Sequence, residues 1–127
     1  IAYPPGAVHE PGFCRAVYTA MSKTGDAPET MKSGVSYKRL KALGNEMAAS
    51  HKKFAPDPHW YVQFFATDVS SQGKGYGQRL LAFVAALGDK SNCPVYLECC
   101  GERSERFYAK QGFRTVHRIR VEDAEEF

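Results

Sequence analysis

The spacing of apolar and polar positions divides the chain into an unpatterned front and a strongly patterned remainder. The first 34 residues are rich in Pro, Gly, Ser and Thr and sustain no period, which predicts mainly loop with a helical turn over residues 13–21. Over residues 36–54 the apolar positions Leu40, Leu43, Met47 and Phe54 follow helical spacing, with Lys38, Lys41, Lys52 and Lys53 on other faces. An amphipathic helix is expected there, interrupted only by Gly44. Asp57 and Pro58 punctuate. Residues 59–67 (HWYVQFFAT) are then too dense in aromatic and β-branched side chains for a surface strand, which predicts a buried central strand.

Ser70 and Ser71 open a turn, residues 72–77 (QGKGYG) form a glycine-rich loop, and Leu80, Leu81, Val84 and Leu87 repeat with the period of a helix. The order is strand, glycine loop, helix. After Gly88, residues 94–100 (PVYLECC) read as a second buried strand, and residues 102–111 read as a short helix closed by Gly112. Residues 113–121 alternate, with Phe113, Thr115, His117, Ile119 and Val121 on one side and Arg114, Val116, Arg118 and Arg120 on the other. This predicts a half-exposed final strand.

A length of 127 residues with 43% hydrophobic content supports one core, so a single domain over residues 1–127 is expected. The net charge of +3 is spread along the chain rather than massed, which argues against a nucleic-acid partner. No apolar run reaches the roughly 20 residues that cross a bilayer, and no basic flank precedes an apolar stretch at the start. The expectation is a soluble, cytoplasmic protein with no membrane partner. Cys14, Cys93, Cys99 and Cys100 have neither paired metal-ligand spacing nor the density of a disulfide scaffold, so reduced thiols and no metal are expected. Cys99 and Cys100 adjoin an apolar run and read as small buried side chains on opposite faces of a strand.

The candidate chemistry lies in the glycine loop. Glycines at alternate positions let backbone N–H groups turn inward without obstruction by Cβ, and the following helix adds its unsatisfied N-terminal donors and positive dipole end. Such a site suits phosphate. QGKGYG lacks the spacing of the dinucleotide fingerprint GxGxxG and the Gly-Lys-Ser/Thr ending of a P-loop, so neither nucleotide reading fits. Taken alone, a tight structural turn accounts for the same three glycines equally well.

The context is more specific, because some thirty residues later the string ERFYAKQGF follows another buried strand. Residues 72–77 match the (Q/R)xxGx(G/A) element of the GNAT superfamily of N-acetyltransferases, and residues 107–113 (FYAKQGF) resemble that family's FYxKxGF element. PVYLE is similar to the strand that precedes it. The resemblance covers roughly residues 58–116. It implies an α/β (α+β) fold with a mixed, mostly antiparallel central sheet flanked by helices. It also implies acetyl-coenzyme A as co-substrate, and transfer of its acetyl group to a small-molecule or peptide amine.

Position by position, the resemblance assigns coenzyme binding to Gln72, Gly73, Lys74, Gly75, Tyr76 and Gly77 in the loop, and to Ala66, Thr67 and Asp68 at the strand end, where the acetyl carbonyl and pantetheine arm bind. Lys74 either adds charge to the phosphates or points into solvent. Tyr108 matches the tyrosine that protonates the departing thiolate, an apt match because a phenol near pKa 10 and a thiolate of similar basicity exchange a proton almost in balance. The other account of Tyr108 is a core aromatic. Where the family often carries asparagine four residues before this tyrosine, the chain has Ser104, which still donates one hydrogen bond.

The general base stays open among Glu98, Asp68, His59 and a chain of waters. Glu98 has the alternative of pairing with an arginine, Asp68 of capping the turn beside Ser70, and His59 of simply beginning its strand. His51 and His117 read as surface and sheet residues. The family fold begins with elements for which this chain has no room, and IAYPPG is similar to the tail of the family's third strand, so a chain lacking the front of the domain is expected. Two function classes follow: an N-acetyltransferase working by direct attack, and an acyl-coenzyme A sensor or interaction module without turnover. A homodimer is allowed for.

Overall fold

A three-stranded ladder of very short strands organises one of two compact units. The computed structural model describes residues 1–7 and 34–120. In chain order it contains β1 (Ala2–Tyr3), α1 (Gly34–Phe54), β2 (Trp60–Val62), a 3₁₀ turn (Val69–Ser71), α2 (Tyr76–Ser91), β3 (Val95–Leu97) and α3 (Gly101–Lys110). These elements make a mixed α/β architecture. The described residues group into two compact units, residues 1–7 with 55–116 and residues 34–54 with 117–120. The loop and helical turn expected over the first 34 residues lie outside the described residues beyond position 7, as do Cys14 and Val121.

In the first unit the strand order is β1-β2-β3. β1 runs antiparallel to β2 with Ala2 opposite Val62 and Tyr3 opposite Tyr61. β2 runs parallel to β3 with Trp60, Tyr61 and Val62 opposite Val95, Tyr96 and Leu97. The period of two puts Tyr3, Tyr61 and Tyr96 in one row across the sheet, with ring centroids 6.4 and 6.2 Å apart.

α2 belongs to the other face. Trp60 Nε1 donates to Ser91 Oγ at 2.9 Å, and Val95 packs beside Gly88. The buried stripe of α2 is Leu81, Val84 and Gly88, at spacings of three and four that align them on one side of a helix. Leu80, part of the expected stripe, is instead 48% exposed. Asn92 then takes the left-handed conformation at the helix C-cap, φ 52°, and turns the chain so that Pro94 O accepts from Trp60 N at 2.8 Å.

Both expected central strands are shorter than their apolar runs. Residues 59–67 are laddered only over Trp60–Val62, and residues 94–100 only over Val95–Leu97. Past Val62 the backbone still bonds toward β1, with Gln63 N donating to Ile1 O at 3.1 Å. Nothing continues the pairing toward β3. Past Val62 burial is uneven, with Phe65 half-buried and Phe64 and Ala66 exposed. Cys99 and Cys100 are exposed, because they lie beyond the last laddered residue.

In the second unit α1 carries half-buried Leu43, Met47 and Phe54 and exposed Lys52 and Lys53, and it runs through Gly44 without interruption. Residues 113–120 form no strand, although their alternation predicts one, since among the described residues no strand pairs with them. His117 stacks on Phe54 with centroids 4.9 Å apart. Its ring is placed by an aromatic neighbour, not by a sheet.

The tightest contact is at Gly88, where an added Cβ would meet the Cys93 carbonyl oxygen at 2.8 Å and Val95 Cγ2 at 3.0 Å. Gly88→Ala is therefore expected to destabilise by roughly 1–2 kcal/mol, the clash outweighing a helix-propensity gain of about 1 kcal/mol. Ala82→Gly on the exposed face of the same helix is expected to cost about 1 kcal/mol from propensity alone. Urea denaturation of the two variants checks this, and a stabilised Gly88→Ala would contradict it.

Candidate active site

After β2 the chain turns on Asp68. Its carboxylate accepts from Ser70 N at 2.9 Å and from the Ser70 hydroxyl, capping the 3₁₀ turn. The hydroxyl and then the backbone bond from Ser70 hold this carboxyl below its ordinary value. Its geometry is that of a turn cap. Gln72 Nε2 donates to Thr67 O at 3.1 Å and Lys74 Nζ to Ser70 O at 3.0 Å, so both side chains brace the loop against the segment before it.

Gly73 and Gly75 sit at φ 75° and 77°, a conformation that costs any L side chain about 1 kcal/mol or more. Gly75 is the N-cap of α2, and no side chain caps this helix. Tyr76 and Gly77, expected in the loop, already form its first turn. The N–H groups of Gly75, Tyr76, Gly77 and Gln78 accordingly have no hydrogen-bond acceptor among the described residues. Gly77 lies close to the strand end and to α3, since a Cβ there would stand 3.6 Å from Phe107 Cζ, 3.7 Å from Phe65 Cε1 and 3.7 Å from Thr67 Oγ1.

These elements enclose a groove of about 530 Å³. Of the residues expected to bind coenzyme, Ala66, Thr67, Gln72, Gly73, Gly75, Tyr76, Gly77 and Ser104 line it, together with Tyr108. Asp68, Lys74 and Glu98 do not. Sequence reasoning left out Phe65, Ser71, Gln78, Arg103 and Phe107, which also line the groove. Phe107 stands inside the quoted FYAKQGF string, so its place there was the available signal, and Arg103 lies one helical turn before it beside Ser104.

Tyr108 is half-buried among aromatic rings, 6.1 Å from Phe65, 5.3 Å from Phe107 and 5.9 Å from Phe113 between centroids. Burial, and then the neighbouring Cys99, push its phenol above the ordinary value. It keeps its proton at neutral pH. The Tyr108 carbonyl accepts from Gln111 N and Phe113 N at 2.9 and 3.1 Å, closing α3 and fixing the ring's base.

Glu98 is the first residue past the ladder, half-buried on the tyrosine side of the sheet. Burial raises its carboxyl, while hydrogen bonds from Tyr61 and Tyr96 and the nearby His59 act in the opposite direction. His59 Nδ1 lies 2.7 Å from Asp57 O, which only accepts, so this nitrogen carries the proton. The imidazole meets the Tyr96 ring edge-on at 5.9 Å.

Among the described residues no cluster of His, Cys, Asp and Glu is placed to hold a metal, and no helix is long and apolar enough to cross a membrane. The groove lining includes Gly75, Tyr76, Gly77 and Gln78, whose amides lack acceptors among the described residues, together with Arg103 and no carboxylate, a composition that fits a diphosphate. The chain matches the acetyltransferase (GNAT) family over residues 42–113, more than half of its 127 residues. No curated protein and no solved structure matches it. The match spans the glycine loop and the tyrosine helix that together form the groove, and the chain belongs to the GNAT acetyltransferase family.

Proposed function

We propose that this protein transfers an acetyl group from acetyl-coenzyme A to a primary amine by direct attack. The observation that carries the reading is the shared groove. Four residues whose N–H groups have no acceptor among the described residues line it, and so does Tyr108. A coenzyme-binding module without turnover requires the amides alone. The half-buried, proton-holding phenol favours the enzyme.

In this reading Gly75, Tyr76, Gly77 and Gln78 donate to the pyrophosphate, with Gly73 shaping the approach. Ala66 and Thr67 run along the pantetheine arm, and Ser104 supplies a hydroxyl to it. Asp68 and Lys74 contribute by holding the loop's shape, since both side chains are engaged within it. Acetyl-coenzyme A supplies an activated thioester. Tyr108 gives its proton to the leaving sulfur, and Glu98 takes the proton that the amine must lose. Glu98 lies outside the groove lining, on the tyrosine side of the sheet, so the acceptor amine approaches from that side. The acceptor is a small molecule or a peptide.

Two outcomes test the reading. Gly75→Glu places a carboxylate and a strained φ in the amide row, and calorimetry is expected to show coenzyme A affinity lost while the circular dichroism spectrum stays that of the parent. Undiminished affinity would reduce the loop to a turn. Tyr108→Phe is expected to lower kcat by roughly a hundredfold or more with the acetyl-coenzyme A dissociation constant changed less than about threefold. Steady-state kinetics with an amine panel measure this, and an unchanged kcat would remove Tyr108 from the chemistry.

A further inference from the structure

The tyrosine row is larger than sheet packing needs. Tyr61 is 7% exposed, yet its hydroxyl and that of Tyr96 both hydrogen-bond to the Glu98 carboxylate. The arrangement follows from register. Tyr61 stands opposite Tyr96, and Tyr96 and Glu98, two residues apart, share a face. Glu98 is therefore met by one phenol from its own strand and one from the neighbour. It sits where the ladder has just ended, so no further strand residue covers it from β2. The titratable groups that face this cluster are Tyr3 from β1 beyond Tyr61, His59 and Tyr61 from β2 and the residue before it, and Tyr96 from β3.

Resting on the assignment of Glu98 as base, we propose that Tyr61 and Tyr96 are positioning residues that clamp the Glu98 carboxylate, fixing its orientation and favouring its charged form at the end of the ladder. A carboxylate takes an amine proton only while it is ionised. Burial works against that form and leaves the carboxyl above its ordinary value, and the two phenol donors oppose that rise. The hydroxyls pass no proton themselves. Burial, followed by the Glu98 charge, pushes both phenols above their ordinary value, so they stay protonated and remain donors throughout the working pH range.

The sign is definite. Losing a donor to the charged form raises the carboxyl, and the acid limb of kcat/KM moves to higher pH. Tyr61→Phe and Tyr96→Phe keep the ring row and remove one hydroxyl each. In the double variant the acid limb is expected to move up by about 1 pH unit, which lowers kcat/KM about tenfold on the acid side. The coenzyme A dissociation constant is unchanged, because neither tyrosine lines the groove. A ¹³C-labelled glutamate titration by NMR reads the same displacement without turnover, in either single variant if the double one is unstable.

A limb and a carboxyl resonance that titrate as in the parent would overturn the clamp. Glu98→Gln separates the two ideas. If it abolishes the acid limb while the tyrosine variants leave the parent's limb unmoved, the clamp alone is refuted. If it retains both rate and limb, Glu98 is not the base, and the clamp has no catalytic role.

Discussion

Everything at the site depends on where the parallel pairing of β2 and β3 stops. The two strands share three residue pairs, ending at Val62 opposite Leu97, and no ladder continues into residues 63–67 and 98–100. A sheet that kept pairing would engage the backbone of Phe65, Ala66 and Thr67 with its neighbour. Because pairing ends, these residues line a groove, and Glu98 sits beside the gap with two phenols on it. The short ladder leaves residues 65–67 to line a groove with the glycine loop, the first turn of α2 and α3.

The helices hold the parted ends in position. α2 is pressed onto the sheet at Gly88, where any side chain would meet the Cys93 carbonyl. Its first turn thus presents its amides at the groove rather than away from it. α3 places Phe107 against Gly77 and Tyr108 among Phe65, Phe107 and Phe113. The same aromatic contacts that pack the helix also dehydrate the phenol. One set of interactions therefore gives Tyr108 both its place and its retained proton.

The sequence reveals the elements better than their limits. Helical spacing locates α1 and α2, and the glycine loop between a buried strand and a helix is visible because glycine at positive φ leaves a compositional trace. The strand ends are not visible. Residues 63–67 (QFFAT) and 98–100 (ECC) still carry apolar side chains among Gln63, Thr67 and Glu98, and no residue type by itself marks the loss of a pairing partner. The alternation at 113–121 misleads for the opposite reason, being a strand pattern with no strand beside it among the described residues. Most of the groove was legible from the QGKGYG and FYAKQGF strings and the positions around them, since Tyr108 and eight of the expected coenzyme residues, Ala66, Thr67 and Ser104 among them, line it. Arg103 was not, because a single arginine on a polar helix face looks like any solvated one. The tyrosine clamp on Glu98 required the register of β2 against β3, which sequence spacing does not give.

The central claim is that the N–H groups of Gly75, Tyr76, Gly77 and Gln78 grip a diphosphate. The most direct measurement is a ¹H–¹⁵N correlation titration of the chain with coenzyme A, followed at those four amides. The account predicts large downfield proton shifts concentrated there, as each gains a charged acceptor, and smaller changes along residues 66–67 and 104–108. Resonances of the four amides that stay in place at saturating coenzyme, or that move no more than those of the exposed face of α2, would contradict it.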